Sequence, residues 1–104
     1  MANVSVNDIR WLSGWWEGEG SFYNNKAYLP IMSAGTTDKD IADRVTKLLG
    51  CNIYIVNKPN RKTAYHFSVA GKKAASWMMT LCSLMGQRRQ AKIKEVLSLG
   101  DYCG

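Results

Sequence analysis

The chain has 104 residues, 46% of them apolar, enough for one domain over residues 1–104, and no apolar stretch approaches the roughly 20 residues that span a bilayer. Three cysteines, Cys51, Cys82 and Cys103, show no CxxC spacing, which argues against a disulfide scaffold or a zinc site and for a cytoplasmic protein. The net charge is +6, and the segment 44–94 holds eleven lysines and arginines and no acid, so a nucleic-acid partner is favoured.

The first predicted element is a helix over residues 6–17, capped by Ser5 or Asn7 and ended by Gly18 and Gly20. Its apolar residues form more than one stripe, so one side of the helix needs a partner beyond the core of its own chain. The first stripe holds Ile9, Leu12 and Trp16, and the second holds Trp11 and Trp15.

Paired strands and helices alternate along the rest of the chain. Hairpins are predicted over residues 21–35 and 51–70, and helices from Thr36 or Thr37 to Leu49, over 71–85 and over 87–99. This αββαββα order, followed by one last helix, predicts an α+β fold with an antiparallel sheet and helices on one face. The other face is left open, with the Tyr, Asn, Lys and Thr side chains that suit a charged, hydrated ligand.

Two carboxylates bracket a glycine at the end of the first helix, where residues 11–22 read WLSGWWEGEGSF. A helix C-terminus carries negative potential, so acids there favour a bound cation. Mg²⁺ takes carboxylate and carbonyl oxygens as ligands. We therefore expect Glu19 and the carbonyl of Gly18 to bind Mg²⁺ or another divalent metal ion, with Glu17 orienting or capping.

Residues 12–20, with Ser21 and Phe22 continuing the pattern, resemble the motif of the LAGLIDADG homing endonucleases. The order of helices and strands and the basic segment 86–93 extend the resemblance to residues 7–98. It implies a nuclease encoded by a bacterium or a phage within a mobile genetic element, with no small-molecule cofactor. It also implies a homodimer, because one motif supplies one active site and two are needed to cut both strands. The implied dimer interface contains Trp11, Ser13, Gly14 and Glu17.

The resemblance further implies a saddle-shaped sheet face that binds double-stranded DNA. A two-stranded ribbon fits the major groove, where side chains read base edges. The candidate readers are Asn24, Lys26, Tyr28, Tyr54, Lys58, Arg61, Lys62 and Tyr65. Phosphate contacts are assigned to Arg88, Arg89 and Lys92. Arg88, with Gln87, is the candidate for stabilising charge on the reacting phosphate.

Three features depart from the family pattern. Both acids of the motif, Glu17 and Glu19, are glutamates where the family's name spells aspartate, and the longer side chain still reaches an ion. Gln87 stands where the family often has a catalytic lysine, and near the end of the second strand only Ser33, beside Ala34, offers a polar side chain. An alternative function is therefore a DNA- or RNA-binding regulator or maturase that does not cut. Another nuclease class, PD-(D/E)xK, lacks its spacing of acids and lysine here. His66, the only histidine, cannot build an HNH-type site and is interpreted as an ordinary strand residue.

Overall fold

The computed structural model describes residues 4–100, and its elements follow the predicted order. They form an α+β fold of four helices and a four-stranded antiparallel sheet, as expected. Their bounds are α1 (Val6–Glu19), β1 (Ser21–Asn24), β2 (Pro30–Thr36), α2 (Lys39–Leu49), β3 (Tyr54–Val56), β4 (Ala64–Ala70), α3 (Lys72–Cys82) and α4 (Gln87–Leu99).

Helix α1 begins at a capping box. The Ser5 hydroxyl accepts a hydrogen bond from the backbone N–H of Asp8, and the Asp8 carboxylate accepts one from the N–H of Ser5. The prediction that Gly18 ends this helix is wrong, because the helix runs on to Glu19. It stops at Gly20, whose extended backbone starts the path into β1 and whose N–H donates to the carbonyl of Trp16.

The start of α2 also differs from the prediction. Thr36 belongs to β2, and Asp38 caps the helix by accepting a hydrogen bond from the N–H of Asp40. The predicted end at Gly50 is confirmed, because Gly50 takes the left-handed conformation (φ 66°) that ends many helices. None of the helices described within residues 4–100 is long and apolar enough to cross a membrane.

The strand order is β1-β2-β4-β3, and the pairing register assigns each residue to one face of the sheet. Side chains alternate between the faces along a strand and share a face across a pair. One row packs against the helices and is buried: Phe22, Met32 and Val69. The adjacent row lies on the opposite face, which we call the open face: Ser21, Ser33 and Ser68.

The core lies between the sheet and the helices, and tryptophans contribute much of its volume. Trp16 and Trp77 are almost fully buried, and Trp16 packs on Phe67 with ring centroids 6.1 Å apart. Trp15, expected on a second stripe, also contacts Phe67, at 5.8 Å. Trp11 is covered by the guanidinium of Arg44, 3.7 Å from the ring centroid. The second tryptophan stripe is therefore largely covered by its own chain.

Candidate functional site

Glu19, the last residue of α1, is exposed beside a hollow of about 390 Å³ in the open face. The hollow borders all four strands, so the motif helix delivers its final carboxylate to the open face of the sheet. Apart from Glu19, its lining residues are Ser21, Tyr23, Ser33, Ala34, Gly35, Tyr54, His66, Phe67 and Ser68. None of these residues is a lysine or an arginine.

The register of the sheet sets Gly35 and His66 beside each other at this hollow. Ser33 pairs with Ser21 of β1 and with Ser68 of β4, and Gly35, two residues after Ser33, pairs with His66 of β4. Glu19, the last residue of the helix that leads into β1, lines the same hollow. The hollow therefore has a carboxylate, a glycine and a histidine among its lining residues.

The end of α1 is suited to a cation but provides only part of a coordination shell. No three His, Cys, Asp or Glu side chains within residues 4–100 converge as a metal site. Glu19 supplies one carboxylate at the negative end of the helix. Within the same residues no donor reaches the carbonyl of Gly18, so this oxygen is also free to face a cation. A hard divalent ion fits these oxygen donors but needs more of them than one chain brings.

Glu17 turns away from this hollow and holds α1 to the start of α4. Its Oε1 accepts a hydrogen bond from the N–H of Gly86 at 3.2 Å, and its backbone carbonyl accepts one from Nη2 of Arg89 at 2.9 Å. Arg89 also lies over the ring of Phe22, 5.9 Å from the centroid. Arg89 therefore ties two elements of its own chain together, a role that the assignment to phosphate contact did not anticipate.

A second hollow, of about 410 Å³, carries the positive charge that the first one lacks. It shares Ser21 with the first hollow, so the two are neighbours. Gln87, the other residue expected near the chemistry, is exposed in the first turn of α4 and lines neither hollow. The lining residues of this basic hollow are Ser21, Phe22, Arg88, Arg89, Ala91, Lys92 and Glu95.

Three of the candidate readers gather at the far end of the sheet, at the turn between β3 and β4. Lys58, Arg61 and Lys62 are exposed and surround a small hollow of about 180 Å³ that also touches His66. Among the residues that the structure describes, none of the three lies in an ion pair. Their charge is therefore free for an anion.

Two candidate readers lie on the helix side of the sheet instead of the open face. Asn24 shares its face with Phe22, and its Nδ2 donates to the carbonyls of Tyr28 at 3.0 Å and Val96 at 2.9 Å. Tyr65 shares its face with Phe67 and packs partly buried against the core. Their side chains are thus occupied within the chain. The other candidates, Lys26, Tyr28 and Tyr54, are exposed.

Of the residues assigned to a dimer interface, some are buried in their own chain and others are exposed. Ser13 is only 2% exposed and lies inside its own chain's core, so its side chain is not offered to a partner. Gly14 is exposed, and a Cβ added there would meet nothing within 4 Å. The same is true of Gly18, one helical turn later. The outer side of α1 therefore carries a bare strip of backbone at Gly14 and Gly18.

Sequence reasoning missed His66, Tyr23 and Ser68 as members of the Glu19 hollow. A signal for them was present in β4, where buried Phe67 and Val69 alternate with exposed His66 and Ser68. That alternation assigns the histidine to the open face. It could not show that His66 lines the same hollow as Glu19.

Comparison with known proteins shows the family and the fold of the chain. The model of a family described as LAGLIDADG-like domain matches residues 7–92. The solved structure of the homing endonuclease I-CvuI, in complex with its target in the presence of calcium, is similar with a TM-score of 0.68 and 18% identity, over 93% of this chain and 69% of that one. No curated protein matches the sequence.

Two further solved structures share the fold. The archaeal intron-encoded homing endonuclease I-Vdi141I, complexed with DNA, has a TM-score of 0.66 and 14% identity, over 91% of this chain and 67% of that one. The group I intron-encoded homing endonuclease I-CeuI, complexed with DNA, has a TM-score of 0.70 and 11% identity, over 97% of this chain and 57% of that one.

Proposed function

The chain belongs to the LAGLIDADG-like domain family, and from that membership we propose that it is a site-specific endonuclease that cuts double-stranded DNA as a homodimer with a divalent metal ion. The observation that carries the proposal is the delivery of Glu19, by the motif helix, to a hollow on the open face of the sheet. A mobile genetic element of a bacterium or a phage is the proposed origin of its gene.

DNA binding is supported by the placement of charge. Lys58, Arg61 and Lys62 cluster at one end of the open face, and Arg88 and Lys92 line the basic hollow beside the Glu19 hollow. Cations at both positions suit a duplex that runs along the sheet, with phosphates contacted on either side. The solved relatives named above hold DNA in their own structures.

Homodimer formation is supported by what one chain lacks. One chain offers a single carboxylate, and Gly14 and Gly18 leave the outer side of α1 bare. A second copy packed there by a two-fold axis would bring two Glu19 carboxylates near that axis, one for each DNA strand. Small residues allow such close helix contact because no side chain separates the backbones.

Glu19 and the Gly18 carbonyl are the groups proposed to hold the metal ion. When bound, a divalent ion polarises a phosphate and lowers the pKa of a water ligand, which supplies a nucleophile at neutral pH. Arg88 is proposed to stabilise the negative charge of the phosphate from the basic hollow. Gln87 has less support as a residue that stabilises the phosphate charge, because it lines neither hollow.

A non-cutting DNA- or RNA-binding protein, either a regulator or a maturase, is the second candidate function. The observation in its favour is that no lysine or arginine lines the Glu19 hollow. Such a protein would bind nucleic acid through the same open face and the same basic groups without cleaving it. It predicts tight binding with no broken phosphodiester bond under any metal ion.

The test separates binding from cutting. The protein is first allowed to select duplexes from a random DNA pool with Ca²⁺ present, and the selected duplex is then incubated with Mg²⁺ or Mn²⁺. The proposed function requires a preferred sequence with two-fold symmetry and a break in both strands. Sequence-selective binding without cleavage supports the second candidate. No preferred sequence at all contradicts the proposed function.

A further inference from the structure

His66 has an orientation that its strand position alone does not require. A Cβ built on Gly35 would lie 2.7 Å from Nδ1 and 2.9 Å from Cε1 of His66. Real Cβ atoms do not approach that closely, so the imidazole ring occupies the space above the Gly35 backbone. The ring therefore leans from β4 across β2, toward the side where Glu19 stands.

The distances across the sheet leave a gap of limited width between the two side chains. Adjacent strands lie about 4.8 Å apart, so β1 and β4 are separated by two such steps. Glu19 comes from the β1 side of the hollow, and the His66 ring leans in from β4 over Gly35. A group bound in the hollow between them thus has a carboxylate on one side and an imidazole on the other.

His66 is also the only nitrogen-bearing side chain in this hollow. The other polar lining groups are the hydroxyls of serines and tyrosines and the carboxylate of Glu19. On its other side His66 touches the hollow of Lys58, Arg61 and Lys62, whose charge attracts phosphates. A phosphate that follows the open face from those cations toward Glu19 passes the imidazole.

Building on the function proposed above, we propose that His66 is a further catalytic residue, whose ring N–H donates a hydrogen bond to a non-bridging oxygen of the phosphate that is cut. Hydrolysis forms one bond from a water oxygen to phosphorus and breaks one bond from phosphorus to a deoxyribose oxygen, and the proton that the water loses is balanced by the one that the leaving oxygen gains. The hydrogen bond of His66 adds no atom to this balance. It stabilises the negative charge where that charge is held in the transition state.

The chain's single histidine makes a direct measurement possible. In untagged protein the imidazole protons of His66 give the one set of histidine resonances. We expect these resonances to shift when the duplex selected by the parent is added in Ca²⁺, a condition chosen to observe binding without cleavage. Unshifted resonances at saturating duplex overturn the proposal.

The kinetic test uses single-turnover cleavage of the same duplex with enzyme in excess, beside its Kd in Ca²⁺. His66→Ala should lower the cleavage rate by about 100-fold, the usual effect of losing one such donor, and leave the Kd within a few-fold. His66→Gln keeps an N–H donor and should recover part of that loss. Met79→Ala, exposed on α3 away from both hollows, controls for general effects of substitution.

Gly35 supplies a second variant. Gly35→Ala should also slow cleavage, because its Cβ removes the space under the ring. If the glycine acts only through the histidine, the double variant G35A/H66A cleaves no more slowly than His66→Ala alone. If His66→Ala cleaves at the parental rate, the catalytic role is overturned. The same holds if His66→Ala changes the base preference or the Kd but not the cleavage rate. A parent that binds but cuts no selected duplex overturns this role together with the proposed function.

Discussion

The guanidinium of Arg89 donates a hydrogen bond of 2.9 Å to the backbone carbonyl of Glu17, which ties α4 to the last turn of the motif helix. Glu17 completes the connection through its side chain, which accepts from the N–H of Gly86. Adjacent cations of one helix thus have different tasks. Arg89 serves the fold of its own chain, whereas exposed Arg88 is free for phosphate.

Substitution of these two arginines should separate stability from binding. Arg89→Ala leaves the Glu17 carbonyl without its charged donor and should lower the free energy of unfolding by about 1.5–3 kcal/mol. Arg88→Ala should leave that free energy within about 0.5 kcal/mol and weaken DNA binding. Urea denaturation and a DNA-binding titration of both variants make the comparison. Equal stability of Arg88→Ala and Arg89→Ala would contradict the assignment.

Glu19→Gln should lower the cleavage rate by about 100-fold or more, while the affinity for DNA stays the same or increases. The carboxylate is the proposed metal ligand, and its removal also takes a negative charge away from the phosphates. Cleavage with Mg²⁺ and affinity with Ca²⁺ are measured side by side. Asp40→Asn, which removes an exposed carboxylate of α2 that lines neither hollow, is the matched control and should still cut. Unimpaired cutting by Glu19→Gln would refute the ligand role.

Substitutions at Gly14 should distinguish a dimer from a monomer. Alanine is the better helix former by about 1 kcal/mol, and nothing lies within 4 Å of a Cβ at this position. In a monomer Gly14→Ala and Gly14→Val are therefore tolerated without effect on the association state. In the proposed dimer Gly14→Val blocks close helix packing, and analytical ultracentrifugation should show the parent as a dimer and the variant as a monomer. Ser98→Leu, an exposed change on α4, is the control.

The cations of the β3–β4 turn should contribute to affinity through phosphates or bases. Arg61→Ala and Lys62→Ala are each expected to weaken binding of the selected duplex, and a lost phosphate contact lowers the slope of log K against log salt by about one. A lost base contact instead relaxes one base position at a cost of about 1–3 kcal/mol. Unchanged affinity, salt slope and selected sequence in both variants would show that this end of the sheet does not meet DNA.

Gly20 should be intolerant of any side chain. A Cβ there would come within 2.2 Å of the indole Nε1 of Trp16, a fully buried side chain that cannot move aside. We expect Gly20→Ala to lower the free energy of unfolding by about 1–3 kcal/mol, the usual effect of overpacking. Ser98→Ala, an exposed change on α4, is the control and should leave the free energy of unfolding within about 0.5 kcal/mol. If Gly20→Ala unfolds at the same urea concentration as the parent protein, the packing of Trp16 against Gly20 is contradicted.

Local signals in the sequence predicted the elements well and their ends less well. The period of apolar residues indicated each helix, and Gly50 marked a true helix end because its left-handed backbone favours glycine. Gly18 misled because glycine is tolerated inside a helix when nothing packs there. Gly20 ends the helix as expected, but the reason that it must be glycine lies in its contact with Trp16, which no local pattern shows.

The site could be predicted only as far as the motif reached. Glu19 followed from the motif itself, and its role as a metal ligand stays a prediction. Which strand residues would surround it depends on the register of β1, β2 and β4, and a shift of one residue turns every side chain to the other face. For the same reason Asn24 and Tyr65 were assigned as readers although they face the helices. His66 was passed over because one histidine in a strand carries no pattern.

The two hydrogen bonds of the Asn24 amide have a consequence for the energetics of recognition. They fasten the loop 25–29, which carries Lys26 and Tyr28, to the last turns of α4, and they hold Tyr28 at a positive φ of 62°. A loop that is already ordered has little conformational entropy left to lose when it meets a ligand. The tip of the β1–β2 hairpin therefore keeps the same conformation when it binds the duplex. Its contribution to affinity depends on how well that conformation already fits the groove.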